Sequence, residues 1–275
     1  MLKYSKSTII IIDMIKVTSF NANGIRAATR KGFWDWFKEQ DIDFLCIQET
    51  KAQFHQLEGD SQYFPDGYFY DFKDAVKKGY SGTAIYAKKK PLNVIKEIGL
   101  DWADDEGRYI QFDYENISVA SLYLPSGSSG DVRQEYKMQF LEKYKEKLAE
   151  QMALGREFIV CGDFNIVHKE IDIKNWKPNY GKTSGVLPEE QEWLDHIFDD
   201  IGWVDSFRAV NQEPLQYTWW SNRGQARANN VGWRIDYHIT TPKLGATTVK
   251  GSEYVYKENW FSDHAPLTIS YDFEV

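Results

Sequence analysis

Two short segments constrain this chain more than any others. Asp43-Phe44-Leu45-Cys46-Ile47-Gln48 and Phe158-Ile159-Val160-Cys161-Gly162 are nearly continuous apolar runs, and each is followed at once by an acid, Glu49 or Asp163. A strand wetted on one face alternates apolar and polar residues, so a run without alternation must be covered on both faces. The chain therefore needs a layered structure with sheet inside and other elements against it. It also needs carboxylates at the ends of central strands, where a rigid rim can hold them.

Further strand-type runs are read at 15–20, 83–87, 109–113, 117–124 and 235–240, with 43–48 and 158–164 among them. Helical patterns lie between: one over 30–40 carrying Phe33, Trp34, Trp36 and Phe37, and one over 131–154 stopped by Gly155. A third begins at Pro188-Glu189-Glu190, with proline at a first helical position and acids in the first turn. The mixture indicates an α/β or α+β domain. No linker, repeat or low-complexity tract divides the 275 residues, so 14–275 is read as a single domain. Residues 1–13, ahead of a second methionine at Met14, are read as an extension outside the fold.

Charge narrows the partners. A net charge of −8 argues against coating nucleic acid by bulk electrostatics, which needs clustered Lys and Arg. It leaves room for a few basic groups on one rim. Lys88-Lys89-Lys90 and the lysines of 137–147 read as solvated faces. Cys46 and Cys161, inside apolar runs, read as buried reduced thiols, which suits a cytoplasmic protein. No stretch approaches the roughly 20 apolar residues of a membrane span.

The chemistry concentrates in Gly162-Asp163-Phe164-Asn165, Ser262-Asp263-His264 and Glu49. A carboxylate can take a proton from water, an amide can hold that water, and an imidazolium can meet phosphate oxygens. Glu49 adds a hard oxygen ligand for Mg²⁺. Gly-Asp-x-Asn alone is equally a tight turn, but beside Ser-Asp-His it points to metal-assisted phosphodiester hydrolysis.

Read together with Phe20-Asn21-Ala22-Asn23-Gly24-Ile25-Arg26-Ala27, Gln48-Glu49-Thr50-Lys51, Tyr123-Leu124-Pro125, Tyr217-Thr218-Trp219-Trp220 and Gly232-Trp233-Arg234-Ile235-Asp236-Tyr237, these segments resemble the exonuclease III family of abasic-site endonucleases, within the deoxyribonuclease I-like superfamily. The resemblance runs from about Ile15 to the C-terminus. It implies a four-layer α/β sandwich, two mixed sheets face to face with helices outside. It further implies Mg²⁺, with Mn²⁺ able to substitute, held by Glu49, Asn21 and Asp263. Asp163 would be the general base, Asn165 would orient the water, His264 would be paired with Asp236, and Tyr123 would contact phosphate. His168 and Asp172 would support the site from behind.

The implied partner is double-stranded DNA with abasic sites or blocked 3′ ends, bound by a monomer, and the implied reaction is incision 5′ to the lesion with 3′-end trimming. Trp219, Trp233 and Ile235 would line the pocket for a flipped sugar, and the remaining tryptophans are assigned to the core. Arg26, Lys51, Tyr80, Arg108 and Arg133 would meet the DNA backbone or minor groove, and Arg223 would enter the duplex. Ser126 departs from the family's Tyr-x-Pro-Asn pattern and leaves open an enzyme specialised in 3′ ends, with weak abasic-site incision. A DNA-damage binding protein without catalysis ranks behind both, because every expected catalytic group is present.

Overall fold

The structure, a computed structural model, describes residues 14–275, so the extension expected over 1–13 lies outside the described residues. Fourteen strands are found among them. They are β1 (Met14–Asn21), β2 (Phe44–Gln48), β3 (Phe69–Lys73), β4 (Thr83–Ala87), β5 (Asn93–Ile95), β6 (Tyr109–Asp113) and β7 (Ile117–Tyr123). β8 (Glu157–Asp163), β9 (Val204–Asp205), β10 (Trp219–Trp220), β11 (Gly232–Trp233), β12 (Asp236–Thr240), β13 (Tyr254–Val255) and β14 (Leu267–Asp272) follow. The α-helices are α1 (Ile25–Arg30), α2 (Phe33–Glu39), α3 (Asp101–Asp105), α4 (Asp131–Ala153), α5 (Trp176–Asn179), α6 (Pro188–Asp195), α7 (Ser206–Val210) and α8 (Pro242–Gly245). No described helix is long and apolar enough to cross a membrane.

Two six-stranded mixed sheets form, in the orders β13-β14-β1-β2-β4-β3 and β5-β6-β7-β8-β12-β9. Each is antiparallel except for one central parallel pair, β1 with β2 and β7 with β8. The apolar runs are doubly buried because their alternate residues serve two cores. Phe44 and Cys46 of β2 join Ile159 and Cys161 of β8 in the core between the sheets. Leu45 and Ile47 face α1 and α2, where Phe33, Trp34 and Phe37 pack. Phe158 and Val160 face α4 and α6, against Phe140, Tyr144 and Leu194. The four-layer sandwich expected from the sequence is therefore present.

One local expectation holds and two are corrected. The helix read over 30–40 is α2, which begins just after Gly32 takes a left-handed φ of 84° and separates it from α1. Lys137 is not on a solvated face. It is fully buried against Glu190, although Lys88 to Lys90 are exposed as expected. Trp260 is not core but 57% exposed.

The parallel pairs decide where chemistry can sit. The C-terminal ends of β1, β2, β7 and β8 reach the same rim, and Asp236 at the start of β12 lies opposite Asp163 at the end of β8. Polar contacts tie the two sheets near that rim: Gln48 Nε2 donates to Ser121 Oγ (2.9 Å), which donates to the Ile47 carbonyl (2.9 Å).

Candidate active site

β8 delivers Asp163 by running unusually close to β7. A Cβ on Gly162 would stand 2.1 Å from the Leu122 carbonyl oxygen, so only glycine fits before the acid. Beyond the strand, Asn165 takes a left-handed φ of 51°, which brings its own N–H to Asp163 Oδ1 (2.9 Å). Its side-chain Nδ2 donates to the Leu124 carbonyl (2.8 Å) and lies 3.3 Å from Asp163 Oδ2. The amide oxygen is left as the group that can hold a water.

Asn21, fully buried at the end of β1, joins the sheets. Its Nδ2 donates both to Asp163 Oδ2 (2.8 Å) and to Glu49 Oε1 (2.9 Å), while its Oδ1 accepts from the Asn23 N–H (2.9 Å). Through Nδ2 Asn21 clamps two carboxylates, and its oxygen keeps a second lone pair. Glu49 also has a left-handed backbone, with φ 51°. Non-glycine residues in this region are uncommon and tend to cluster at functional sites, and here Asn23, Glu49, Lys51 and Asn165 all adopt it.

His264 lies across the rim. Its Nδ1 is 2.8 Å from Asp236 Oδ2, and its Nε2 is 3.8 Å from Asp163 Oδ2, too long for a hydrogen bond. Burial disfavours charge on the ring, yet the Asp236 and Asp163 carboxylates outweigh it and raise His264 to about 10. The ring is an imidazolium at neutral pH with an uncommitted Nε2 proton. Burial raises Asp163 to about 7; Asp236 and Glu49 reinforce the shift and His264 opposes it. Asp163 is thus a carboxylate with enough basicity to take a proton near neutral pH.

Asp163, Asp236 and His264 converge closely enough to hold a cation, but the imidazolium already supplies that charge. The donors that suit a metal are on the other side. Burial works against ionisation of Glu49, but the Lys51 ammonium and the Asn21 amide hold it below its ordinary value. Asp263 is held down in the same way against burial, by His264, Asn23, Ser262 and Trp219. Lys51 Nζ sits 2.7 Å from Glu49 Oε2 and 2.5 Å from Asn23 Oδ1, and Asn23 Nδ2 donates to Asp263 Oδ1 (2.9 Å). An ionised glutamate already contacting one cation and a nearby ionised aspartate are hard oxygen donors, the chemistry Mg²⁺ requires.

Tyr123 is half-buried at the end of β7, with the Arg108 guanidinium 4.6 Å from its ring centre. Burial and the adjacent Glu49 push the phenol well above its usual range, so it stays a proton donor. Arg108 is only 2% exposed and bonds Glu106, the Tyr123 carbonyl and the Tyr80 hydroxyl. This corrects its reading as a DNA contact: it braces Tyr123 from behind. Arg133 and Tyr80 are drawn into the same cluster, Arg133 bonding Glu106 (3.0 Å) and the Tyr80 hydroxyl (3.0 Å). Ser126 Oγ pairs with Ser128 Oγ (2.8 Å). Arg26 and Arg223 are exposed.

The aromatic pair is brought together by β10 and β11, where Trp219 lies opposite Trp233 with ring centres 5.5 Å apart. Both are half-buried on a small core of Val167, Ile173, Val186 and Ile235, so Ile235 forms the floor while the indoles reach the surface. The hairpin is zipped to the Ser-Asp-His segment: Trp220 N–H donates to the Asp263 carbonyl (3.0 Å), Ala265 N–H to the Thr218 carbonyl (2.8 Å), and Trp219 Nε1 to Asp263 Oδ2 (3.2 Å). Asp172, fully buried, binds Arg234 (2.7 Å) and Arg208 (2.7 Å) and so fixes the strand between Trp233 and Asp236. His168 bonds Asp195 (2.7 Å), within range of the Arg234 charge.

Sequence reasoning missed Asn23, which reads as an Asn-Gly turn, and Thr218, whose Oγ1 accepts from the Ile235 and Asp236 N–H groups (3.2 and 3.1 Å). It also missed the Lys137–Glu190 pair (2.6 Å), in which Lys137 Nζ donates to the Asn165 carbonyl (2.9 Å).

Known proteins resemble the chain in sequence and in fold. The chain is 39% identical over 257 residues to the exodeoxyribonuclease of Bacillus subtilis, covering 93% of this chain and 98% of that one. It is 36% identical to the DNA repair nuclease APEX1 of Danio rerio, covering 93% and 81%. The solved structure of an AP endonuclease from Archaeoglobus fulgidus superposes with a TM-score of 0.84 at 27% identity, covering 94% of this chain and all of the other. The sequence profile of the Endonuclease/Exonuclease/phosphatase family matches residues 18–264, and the chain belongs to that family.

Proposed function

We propose that this protein is a Mg²⁺-dependent DNA repair hydrolase that cuts the backbone 5′ to an abasic site and clears blocked 3′ ends. The observation that carries the reading is the continuous network Glu49–Asn21–Asp163, with His264 and Asp236 across the same rim and the Trp219–Trp233 pair zipped to it through Asp263. The names of the relatives, an exodeoxyribonuclease and a DNA repair nuclease, support the substrate class.

In this reading Asp163 takes a proton from a water held by the Asn165 amide oxygen. That water attacks phosphorus, the bond from phosphorus to the 3′ oxygen breaks, the leaving oxygen takes a proton from solvent, and the products are a 3′-hydroxyl and a 5′-deoxyribose phosphate. The His264 imidazolium, fixed by Asp236, and the Tyr123 phenol donate to phosphate oxygens as charge builds on them. Glu49, Asn21 and Asp263 would hold Mg²⁺, or Mn²⁺ in its place, and the bound ion would supply neutralisation of charge on the phosphate and the leaving oxygen. A sugar without its base has lost stacking and pairing, so it flips out cheaply. The Trp219 and Trp233 indoles over Ile235 would receive it and exclude a nucleotide that still carries its base. Arg26, Tyr80, Arg133 and Arg223 would position the duplex for an enzyme acting as a monomer, and the free buried thiols suit a cytoplasmic setting.

A second reading rests on Ser126. Its hydroxyl bonds Ser128 and has a shorter reach than an amide, so the abasic-site phosphate would lose a donor. A labelled duplex with one tetrahydrofuran abasic analogue, with Mg²⁺ and with EDTA, separates the two. Metal-dependent incision at the analogue is expected. An intact lesion with trimmed 3′ ends would instead establish the 3′-end specialist.

A further inference from the structure

Trp260 is the most exposed aromatic ring among the described residues, and it is far from loose. The Arg227 guanidinium stacks on both Trp220 and Trp260, 4.7 Å and 5.2 Å from the ring centres. Its nitrogens donate to three carbonyls of one loop: Lys257 (3.0 Å), Asn259 (2.9 Å) and Ser262 (2.7 Å). A loop tied at three points holds the indole in one place. That place is beside the chemistry, because Trp260 precedes Asp263 by three residues, at most about 10 Å of chain. Trp260, Trp220, Asp263 and Lys31 also wall one cavity of about 130 Å³.

An indole whose task was only to cover Arg227 would be buried by it, whereas more than half of Trp260 remains in water. Lys31 is exposed on the same cavity wall, a cation placed to meet a DNA phosphate although Asp263 shares that wall and Glu258 stands near Arg227.

We propose that Trp260 is a stacking platform for an unpaired nucleobase on the DNA strand beside the cleavage site, with Lys31 meeting a phosphate of the same strand. This rests on the nuclease reading above. Every base has a π-face, so such a platform is indifferent to sequence. Within a closed duplex both faces of a base are covered by its neighbours, so the ring can engage only where the strand is open. The platform would therefore favour frayed 3′ ends and gap edges over continuous duplex, and would direct the enzyme to the ends it cleans.

The test compares Trp260→Ala and Trp260→Phe with wild type, in EDTA to prevent cutting, on two fluorescein-labelled DNAs. One is a blunt duplex and the other the same duplex with a short single-stranded 3′ flank. Stacking is worth about 1–3 kcal/mol per base. Trp260→Ala should therefore raise Kd for the flanked DNA about five- to a hundredfold more than for the blunt one. Trp260→Phe should keep most of the preference, and Lys31→Met should lower the salt slope of log Kd by about one. An unchanged Kd ratio in Trp260→Ala, or an equal loss on both DNAs, overturns the platform while leaving the nuclease reading standing. Wild-type protein that binds neither DNA overturns both.

Discussion

Asp163 holds two positions at once: it is buried among acids, which raises its proton affinity, and it is clamped by Asn21 and the Asn165 N–H, which fixes its direction. Basicity and direction are separable by substitution. Asp163→Asn keeps the size and one acceptor oxygen but cannot take a proton, and its new amide N–H faces either Asn21 or the Asn165 N–H; it should still bind abasic DNA within a few-fold of wild type. Its turnover should fall by about 10²–10⁴, the range general-base catalysis supplies. Single-turnover cleavage beside equilibrium binding measures this, and near wild-type cleavage would remove Asp163 as the base. Glu49→Ala should behave differently, shifting the Mg²⁺ titration to higher concentration; an unmoved titration would take Glu49 out of the metal site. Both residues were legible in the sequence because each ends an apolar run. Arg108 was misplaced for a physical reason: a motif gives a residue type and a position, but not whether a guanidinium points to solvent or under Tyr123.

At the scale of elements, α4 does more than cover the second sheet. Lys137, on its buried face, donates to the Asn165 carbonyl and to Glu190, whose other oxygen accepts from the Gly185 and Leu187 N–H groups. The helix thus holds the catalytic loop through an ion pair with no exposure at either end. Losing one partner of such a pair costs about 3–5 kcal/mol, whereas replacing both with apolar groups is often neutral. Lys137→Met should therefore be strongly destabilised, and adding Glu190→Leu should restore most of the melting temperature. Activity should not return with stability, because the Asn165 carbonyl is still without its anchor and a misplacement near 1 Å can cost about a hundredfold. Melting curves and kcat for both variants decide it; joint recovery would make the pair purely structural. The Lys/Glu-rich pattern of 131–154 revealed the helix but not this contact, since a buried lysine looks like a surface lysine until its partner is placed. Strands were legible where both faces are apolar, as in β2 and β8. The edge strand β3 was missed because Phe69 and Tyr70 are exposed, and β10 and β11 because two-residue strands exist only through their pairing.

At the scale of the whole molecule, one histidine sits in the seam between the two sheets. His238 on β12 is fully buried in the second sheet, its Nδ1 3.3 Å from the hydroxyl of Tyr271 on β14 of the first. Burial lowers its pKa from 6.5 to about 3, so the ring is neutral wherever the protein is folded under ordinary conditions. Above pH 6.5 it is neutral in folded and unfolded chains alike and contributes nothing to pH dependence. As pH falls below 6.5, the unfolded chain gains a proton that the folded one refuses. Stability then drops by up to about 1.4 kcal/mol per pH unit, until the folded ring itself protonates near 3. Asp163 acts with the opposite sign, since its raised pKa lets the folded protein take up a proton first as pH falls from about 7. The two effects offset each other in the wild-type curve, and only a difference between variants isolates the histidine. His238→Met, apolar and of similar size, should lose about 2.5 kcal/mol less than wild type between pH 6 and pH 4, read from urea unfolding at each pH. Parallel acid limbs in the two proteins would mean that the ring between the sheets accepts a proton in the folded state, and that water reaches the seam of the sandwich.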